Sequence, residues 1–116
     1  MSHDTSKVLH ASAARTADGN TAEFSGVRSW GLVSFVLDVT AHAGTTPTLD
    51  VTIQHRDIAS GKWLDIAAFT QVTTVDGSER ITVANMPEVN IRVAWVITGS
   101  AGQSYTFTVG MAARDL

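Results

Sequence analysis

The chain has 116 residues, 8 of them Lys or Arg and 11 Asp or Glu, giving a formal net charge of −3 at pH 7. That length fits one domain, and a content of 44% hydrophobic and 16% charged residues is too apolar for a disordered chain. With no cysteine the sequence excludes a disulfide scaffold, a thiolate zinc site and a Cys nucleophile, and with no run of Lys or Arg it lacks the basic stripe of a nucleic-acid binder.

The opening residues, Met1-Ser2-His3-Asp4-Thr5, are polar and carry no apolar leader core. No apolar stretch approaches the roughly 20 residues of a membrane-crossing helix. The expectation is a soluble protein made in the cytoplasm, with neither membrane nor nucleic acid as a partner.

Residues 1–20 are polar and rich in small side chains, and are expected to form a partly extended arm ahead of a sandwich domain at 21–116. The Ala-rich stretch Leu9 to Ala14 allows a helical turn, which Arg15 to Asn20 would soon end, and an extended arm or strand is the preferred reading. Its expected partner is Thr21 to Val27, across an Asp18-Gly19 turn. From Val33 the chain alternates with period 2: Val33, Phe35, Leu37 and Val39 point one way and Ser34, Asp38 and Thr40 the other, with Val36 as an apolar exception. Such alternation marks a strand with one buried face.

After the breaker Ala43-Gly44-Thr45-Thr46-Pro47, the pattern resumes with Leu49, Val51 and Ile53 against Asp50, Thr52 and Gln54. Further strand signals cover Trp63 to Phe69, Ile81 to Val83, Val89 to Thr98 and Tyr105 to Met111. In the last two, Val89, Ile91, Val93, Trp95 and Ile97 share one face, as do Tyr105, Phe107, Val109 and Met111. Ser60-Gly61, Asp76-Gly77, Asn85-Met86-Pro87 and Gly99-Ser100-Ala101-Gly102 supply turn chemistry, and Asp76-Gly77 reads as a hairpin turn. No segment carries a helical stripe. About eight short strands at this spacing predict an all-β, single-domain antiparallel β-sandwich, jelly-roll-like in strand number.

No catalytic apparatus is visible. His3, His10, His42 and His55 form no metal-binding spacing, although His42, His55 and an Asp would make a site if the fold joined them. His55 has the inward parity of its strand, so a partly buried histidine at a sheet end is the simpler reading. Asp38 and Asp50 face outward on neighbouring strands, as solvated side chains do, and no Gly-x-Ser-x-Gly elbow or phosphate loop occurs. No catalytic, cofactor-binding or metal-binding residue is therefore assigned. Of the tryptophans, Trp95 has core parity, Trp63 follows a turn, and Trp30, beside Arg28, is the surface candidate for a sugar or a protein. The segment Gln54 to Trp63 carries Asp57, Gly61 and Trp63, but the Asp-to-Gly gap is too long for a sialidase-type Asp-box, and it reads as a hairpin.

Leu37-Asp38-Val39-Thr40-Ala41, Thr46 to Gln54, Gly61 to Phe69, Asn90 to Trp95 and Gly99 to Phe107 together resemble a pattern of small β-sandwich virion proteins of tailed bacteriophages. The resemblance covers roughly two-thirds of the chain and rests on strands and turns. It implies a capsid decoration, or cement, protein on the virion surface. Its partner would be the major capsid protein lattice, and it would act as a homo-oligomer, with a trimer favoured. The family has no catalytic residues to carry over. For that role the candidate interface residues are Val8, Leu9, His10 and Arg15 in the arm, then Arg28 and Trp30, then His42, Thr45 and Pro47 in the following loop. A head–tail or tail component, or a carbohydrate-binding module built on the tryptophans, is the alternative.

Overall fold

The computed structural model describes residues 4–24, 32–84 and 90–114. Among the described residues there are six antiparallel strands: β1 (Asp4–Arg15), β2 (Gly19–Asn20), β3 (Leu32–Arg56), β4 (Trp63–Ala68), β5 (Gly77–Ala84) and β6 (Ile91–Arg114). They join in one hydrogen-bonded sheet of order β1-β6-β3-β4, with β2 also on β6 and β5 also on β3.

The long strands β3 and β6 pair along nearly their whole length, from Leu32↔Arg114 to His55↔Ile91. Their ribbon folds over on itself. Trp95 and Phe107 lie on the same strand, and twelve residues of straight strand would separate them by roughly 40 Å. Their rings instead meet edge to face with centroids 5.6 Å apart. The fold-over falls at Gly44–Pro47 and Gly99–Gly102, where the register slips between Ala43 and Thr45 and again between Thr45 and Thr48. Gly44 (φ 105°), Thr46 (46°), Gly99 (138°), Ala101 (60°) and Gly102 (76°) all adopt positive φ there.

Each half of the ribbon recruits its own flanking strands. One layer holds β1, the 104–114 half of β6, the 32–43 half of β3, and β5. The other holds β2, the 91–98 half of β6, the 48–55 half of β3, and β4. The result is an all-β antiparallel sandwich measuring 49 × 32 × 19 Å. The long strands serve both layers, so the count rises from six strands to the expected number of segments.

Period-2 alternation dictates the core. Val33, Phe35, Leu37 and Val39 from one layer, and Leu49, Val51 and Ile53 from the other, are at most 2% exposed. Ile91, Val93, Trp95 and Ile97 join them, as do Tyr105, Phe107, Val109 and Met111. Each such side chain stabilises the fold by about 1.5–3 kcal/mol relative to exposure. Val89 lies outside the described residues.

Two sequence expectations fail for one reason. The arm does not pair with residues 21–24, the described part of its expected partner: β1 lies on β6, from Asp4↔Arg114 to Arg15↔Tyr105. The Thr21 and Phe24 amides instead donate to the Val93 and Ile91 carbonyls in the other layer. Residues 16–18 therefore cross between layers, where the Asp18 carboxylate accepts the Ile97 amide at 2.8 Å. Asp76-Gly77 likewise closes no hairpin, because β4 and β5 pair with different halves of β3. The 69–76 segment bridges the layers, tied down by paired Leu49 and Val72 amides and carbonyls. Turn-forming residues report a change of direction and are blind to which layer receives the next strand.

Candidate interaction surface

The candidate residues of the arm divide between the interior and the surface. β1 carries an extra residue between the pairs Val8↔Gly110 and His10↔Val109. Such a bulge turns two successive side chains to one side. Leu9 and His10 are accordingly 5% and 3% exposed, whereas Val8 is 60% exposed. Leu9 and His10 thus belong to the chain's own core and offer no docking surface.

His10 sits in an aromatic cage. It stacks on Phe107 with centroids 4.3 Å apart and meets Trp95 edge-on at 5.0 Å. Its Nδ1–H donates to the Phe107 carbonyl at 3.1 Å, which leaves Nε2 to accept from Arg15 Nε at 3.0 Å. The ring is therefore neutral with a defined tautomer. Burial first, and then the Arg15 guanidinium, hold its pKa below the usual histidine value, against a smaller opposing pull from the Phe107 carbonyl. Arg15 also lies over the Trp95 ring at 5.2 Å, and Trp95 Nε1–H donates to the Ala17 carbonyl at 3.1 Å. Trp95 is a core residue, as its parity predicts.

The loop candidates lie at the fold-over. Thr45 is exposed, but Pro47 is buried against Gly99 and offers no docking surface. His42 Nδ1–H donates to Asp76 at 2.6 Å, with a quarter of its side chain exposed. Beneath it Tyr105 donates to the Thr73 carbonyl at 2.6 Å, and burial, then Asp76 and Asp50, raise its pKa. Arg28 and Trp30 lie outside the described residues. Arg15 and His42 flank Tyr105 on its two neighbouring strands near the fold-over that carries Thr45, whereas Val8 lies farther along, opposite Gly110.

No active-site geometry assembles among the described residues. No three His, Asp or Glu side chains are placed to share a metal ion there. Asp38 accepts from Ser78 and Asp50 from Gln71, each on its own layer. His55 keeps a buried Nδ1 with no hydrogen-bond partner among these residues. The Gln54–Trp63 segment is a hairpin: the Asp57 amide donates to the Lys62 carbonyl at 2.7 Å, and the Asp57 carboxylate accepts the Ser60 hydroxyl at 2.6 Å. Ser60's hydroxyl, then its amide, hold the Asp57 pKa below the ordinary carboxylate value.

The surface is instead marked by apolar relief. Val8, Gly110 and Val36 lie side by side on three strands of one outer face. Gly110 leaves a shallow groove of about 390 Å³ between the two valines, lined also by Ser6 and Ala112 of the neighbouring pair. Val36, the apolar exception in its strand, was the signal in the sequence that this face is not simply solvated. The other outer face carries a polar row, Arg92–Gln54–Asp65, linked by hydrogen bonds of 2.9 Å. Arg92 covers the half-buried Trp63 ring at 4.3 Å.

The molecule belongs to the class of antiparallel β-sandwiches whose relief is built from exposed strand and loop side chains. No protein-family model and no curated protein matches the sequence. Solved structures do match its fold. The VP2 subviral particle of infectious bursal disease virus superposes with a TM-score of 0.68 at 14% identity over 98% of this chain. The T=1 particles derived from infectious bursal virus give 0.58 at 15% identity over 98%. This chain spans about a third of the length of those viral proteins, 33% and 32% respectively. The CBM36-1 domain of a multidomain xylanase from the hindgut metagenome of Trinervitermes trinervoides gives 0.53 at 12% identity, over 95% of this chain and 96% of that domain. At these identities the likeness is one of fold.

Proposed function

We propose that this chain is a non-enzymatic structural protein of a tailed-phage particle, a decoration protein that docks as a homo-oligomer, trimeric by preference, on the outside of the assembled head. The observation that carries this reading is the Val8–Gly110–Val36 face. A sheet face turned to solvent normally alternates to polar residues, and this one presents two valines 60% and 38% exposed around a glycine notch. The fold shared with proteins of viral particles supports the same reading. A protein that binds only the assembled lattice stabilises it by mass action, and many symmetric copies multiply the effect.

Co-sedimentation with expanded shells tests it. The protein is expected to pellet with assembled heads and to ignore free capsid subunits, and Val8→Asp or Val36→Asp should reduce the bound fraction. Equal binding to heads and free subunits, or binding to neither, would overturn this reading and leave only the fold.

A second reading is favoured by one feature. Trp63 with the Arg92–Gln54–Asp65 row is an aromatic ring beside hydrogen-bonding groups, the composition of a carbohydrate platform, on a fold shared with a CBM36 domain. A glycan array with Trp63→Ala as control decides between sugar and protein as partner.

A further inference from the structure

The β3–β4 hairpin ends in a rigid apolar tip. Its last pair is Arg56↔Trp63. Gly61 donates to the Asp57 carbonyl at 2.7 Å, and the Asp57 carboxylate accepts both the amide and the hydroxyl of Ser60. This Asx-type closure leaves Ile58 at the apex, 84% exposed, the highest value among the exposed large hydrophobic side chains described. Lys62 is exposed beside it. Arg56, at the base, shares its charge with Glu23 at 3.3 Å.

At the other end of the sandwich lies a pocket of about 310 Å³ between the interlayer segment and the start of β5. Its apolar lining includes Leu37, Val72 and the 75%-exposed Val75, and its rim carries Asp76 and Glu79. Val72 is bridged to Leu49 of β3. From Leu49 to Arg56 the strand runs roughly 23 Å away from the pocket. The tip therefore cannot enter the pocket of its own chain. An apolar knob carrying the exposed Lys62, with the Asp57 carboxylate turned onto Ser60, and an apolar hole rimmed by two carboxylates are thus carried at opposite ends of one molecule.

We propose that Ile58 of one copy seats in the Leu37–Val72–Val75 pocket of a second copy, with Lys62 facing the Asp76 and Glu79 carboxylates. The occupant of the pocket is this chain itself. Such a contact is head to tail, so it closes into a ring if the rotation allows and otherwise extends into a filament. It supplies the homo-oligomer of the reading above with its contact, but does not depend on docking to a shell.

Sedimentation velocity of the full chain, with no shell present, tests it. The wild type is expected to associate as concentration rises, and less so at high salt, because the exposed charges are screened. Ile58→Asp and Val75→Asp should each weaken association roughly thirtyfold or more, as a buried hot-spot side chain does. Both side chains are exposed, so neither change removes core, and far-UV circular dichroism checks the fold. The decisive result is the mixture. One variant keeps its pocket and the other its knob, so together they should form a two-chain species that neither forms alone. A wild type that stays monomeric to about 1 mM, an unaltered Ile58→Asp profile, or a mixture that does not combine overturns the contact. Co-sedimentation with heads decides the docking reading separately.

Discussion

The imidazole of His10 lies flat on the ring of Phe107, centroids 4.3 Å apart and planes 13° from parallel. This contact joins the first strand to the last, and Trp95 extends it to the second layer. The N-terminal segment is thereby part of the core, and the protonation state of one side chain is coupled to its attachment.

Stability should therefore fall on mild acidification. The folded-state pKa of His10 is lowered, so the unfolded chain binds a proton more readily than the folded one. The contribution is complete above the unfolded value of about 6.5 and is lost as pH falls from there through the lower folded value. The slope is at most about 1.4 kcal/mol per pH unit for one proton. Urea titrations between pH 7.5 and 5.5 should show this decline in the wild type, and His10→Gln should flatten it. An equal slope in both proteins would place the sensitivity elsewhere.

Removing residues 1–17 should damage the sandwich. Leu9 alone contributes about 1.5–3 kcal/mol by burial, the loss of His10 uncovers Phe107 and Trp95, and the loss of β1 bares the edge of β6. Against a total stability of about 5–15 kcal/mol, the truncated chain should lose most of its urea midpoint or aggregate. An unchanged midpoint would mean the segment is a dispensable arm.

Neighbouring positions on one strand should differ sharply. Phe35 is 0% exposed and Val36 38% exposed. Phe35→Ala should cost about 3–5 kcal/mol, whereas Val36→Ala should stay within about 0.5 kcal/mol. Denaturant unfolding of the two variants measures the contrast directly.

The fold-over imposes its own steric demand. Gly44 and Gly102 both have positive φ, which costs an L-residue about 1–2 kcal/mol. A Cβ at Gly102 meets nothing within 4 Å, but one at Gly44 would lie 2.7 Å from the Gln103 Cα. Gly102→Ala should therefore cost about 1–2 kcal/mol and Gly44→Ala about 2–5 kcal/mol, read as differences in thermal midpoint. Equal losses would show that the corner can relax around the new methyl group.

Much of the candidate surface was hidden from the sequence. Val8, Leu9 and His10 are consecutive, and only the bulge in β1 separates an exposed valine from two buried neighbours. Pro47 lies in a turn-rich segment yet is buried, because the corner packs it against Gly99. The apolar tip at Ile58 and the pocket at Val75 stand in stretches of loop composition, where hydrophobicity has no period to betray its direction. Val36 alone announced itself, by breaking an otherwise regular alternation.

What the sequence by itself determined is the all-β class and the identity of most core residues. Side-chain direction alternates residue by residue along a strand, so burial leaves its imprint in the order of amino acids. Tertiary structure alone decided that β3 and β6 fold over as one ribbon, that β1 lies against β6, and that His10 is enclosed by Phe107 and Trp95. Strands join through backbone amides and carbonyls that every residue other than proline shares, and those groups carry no label naming their partner.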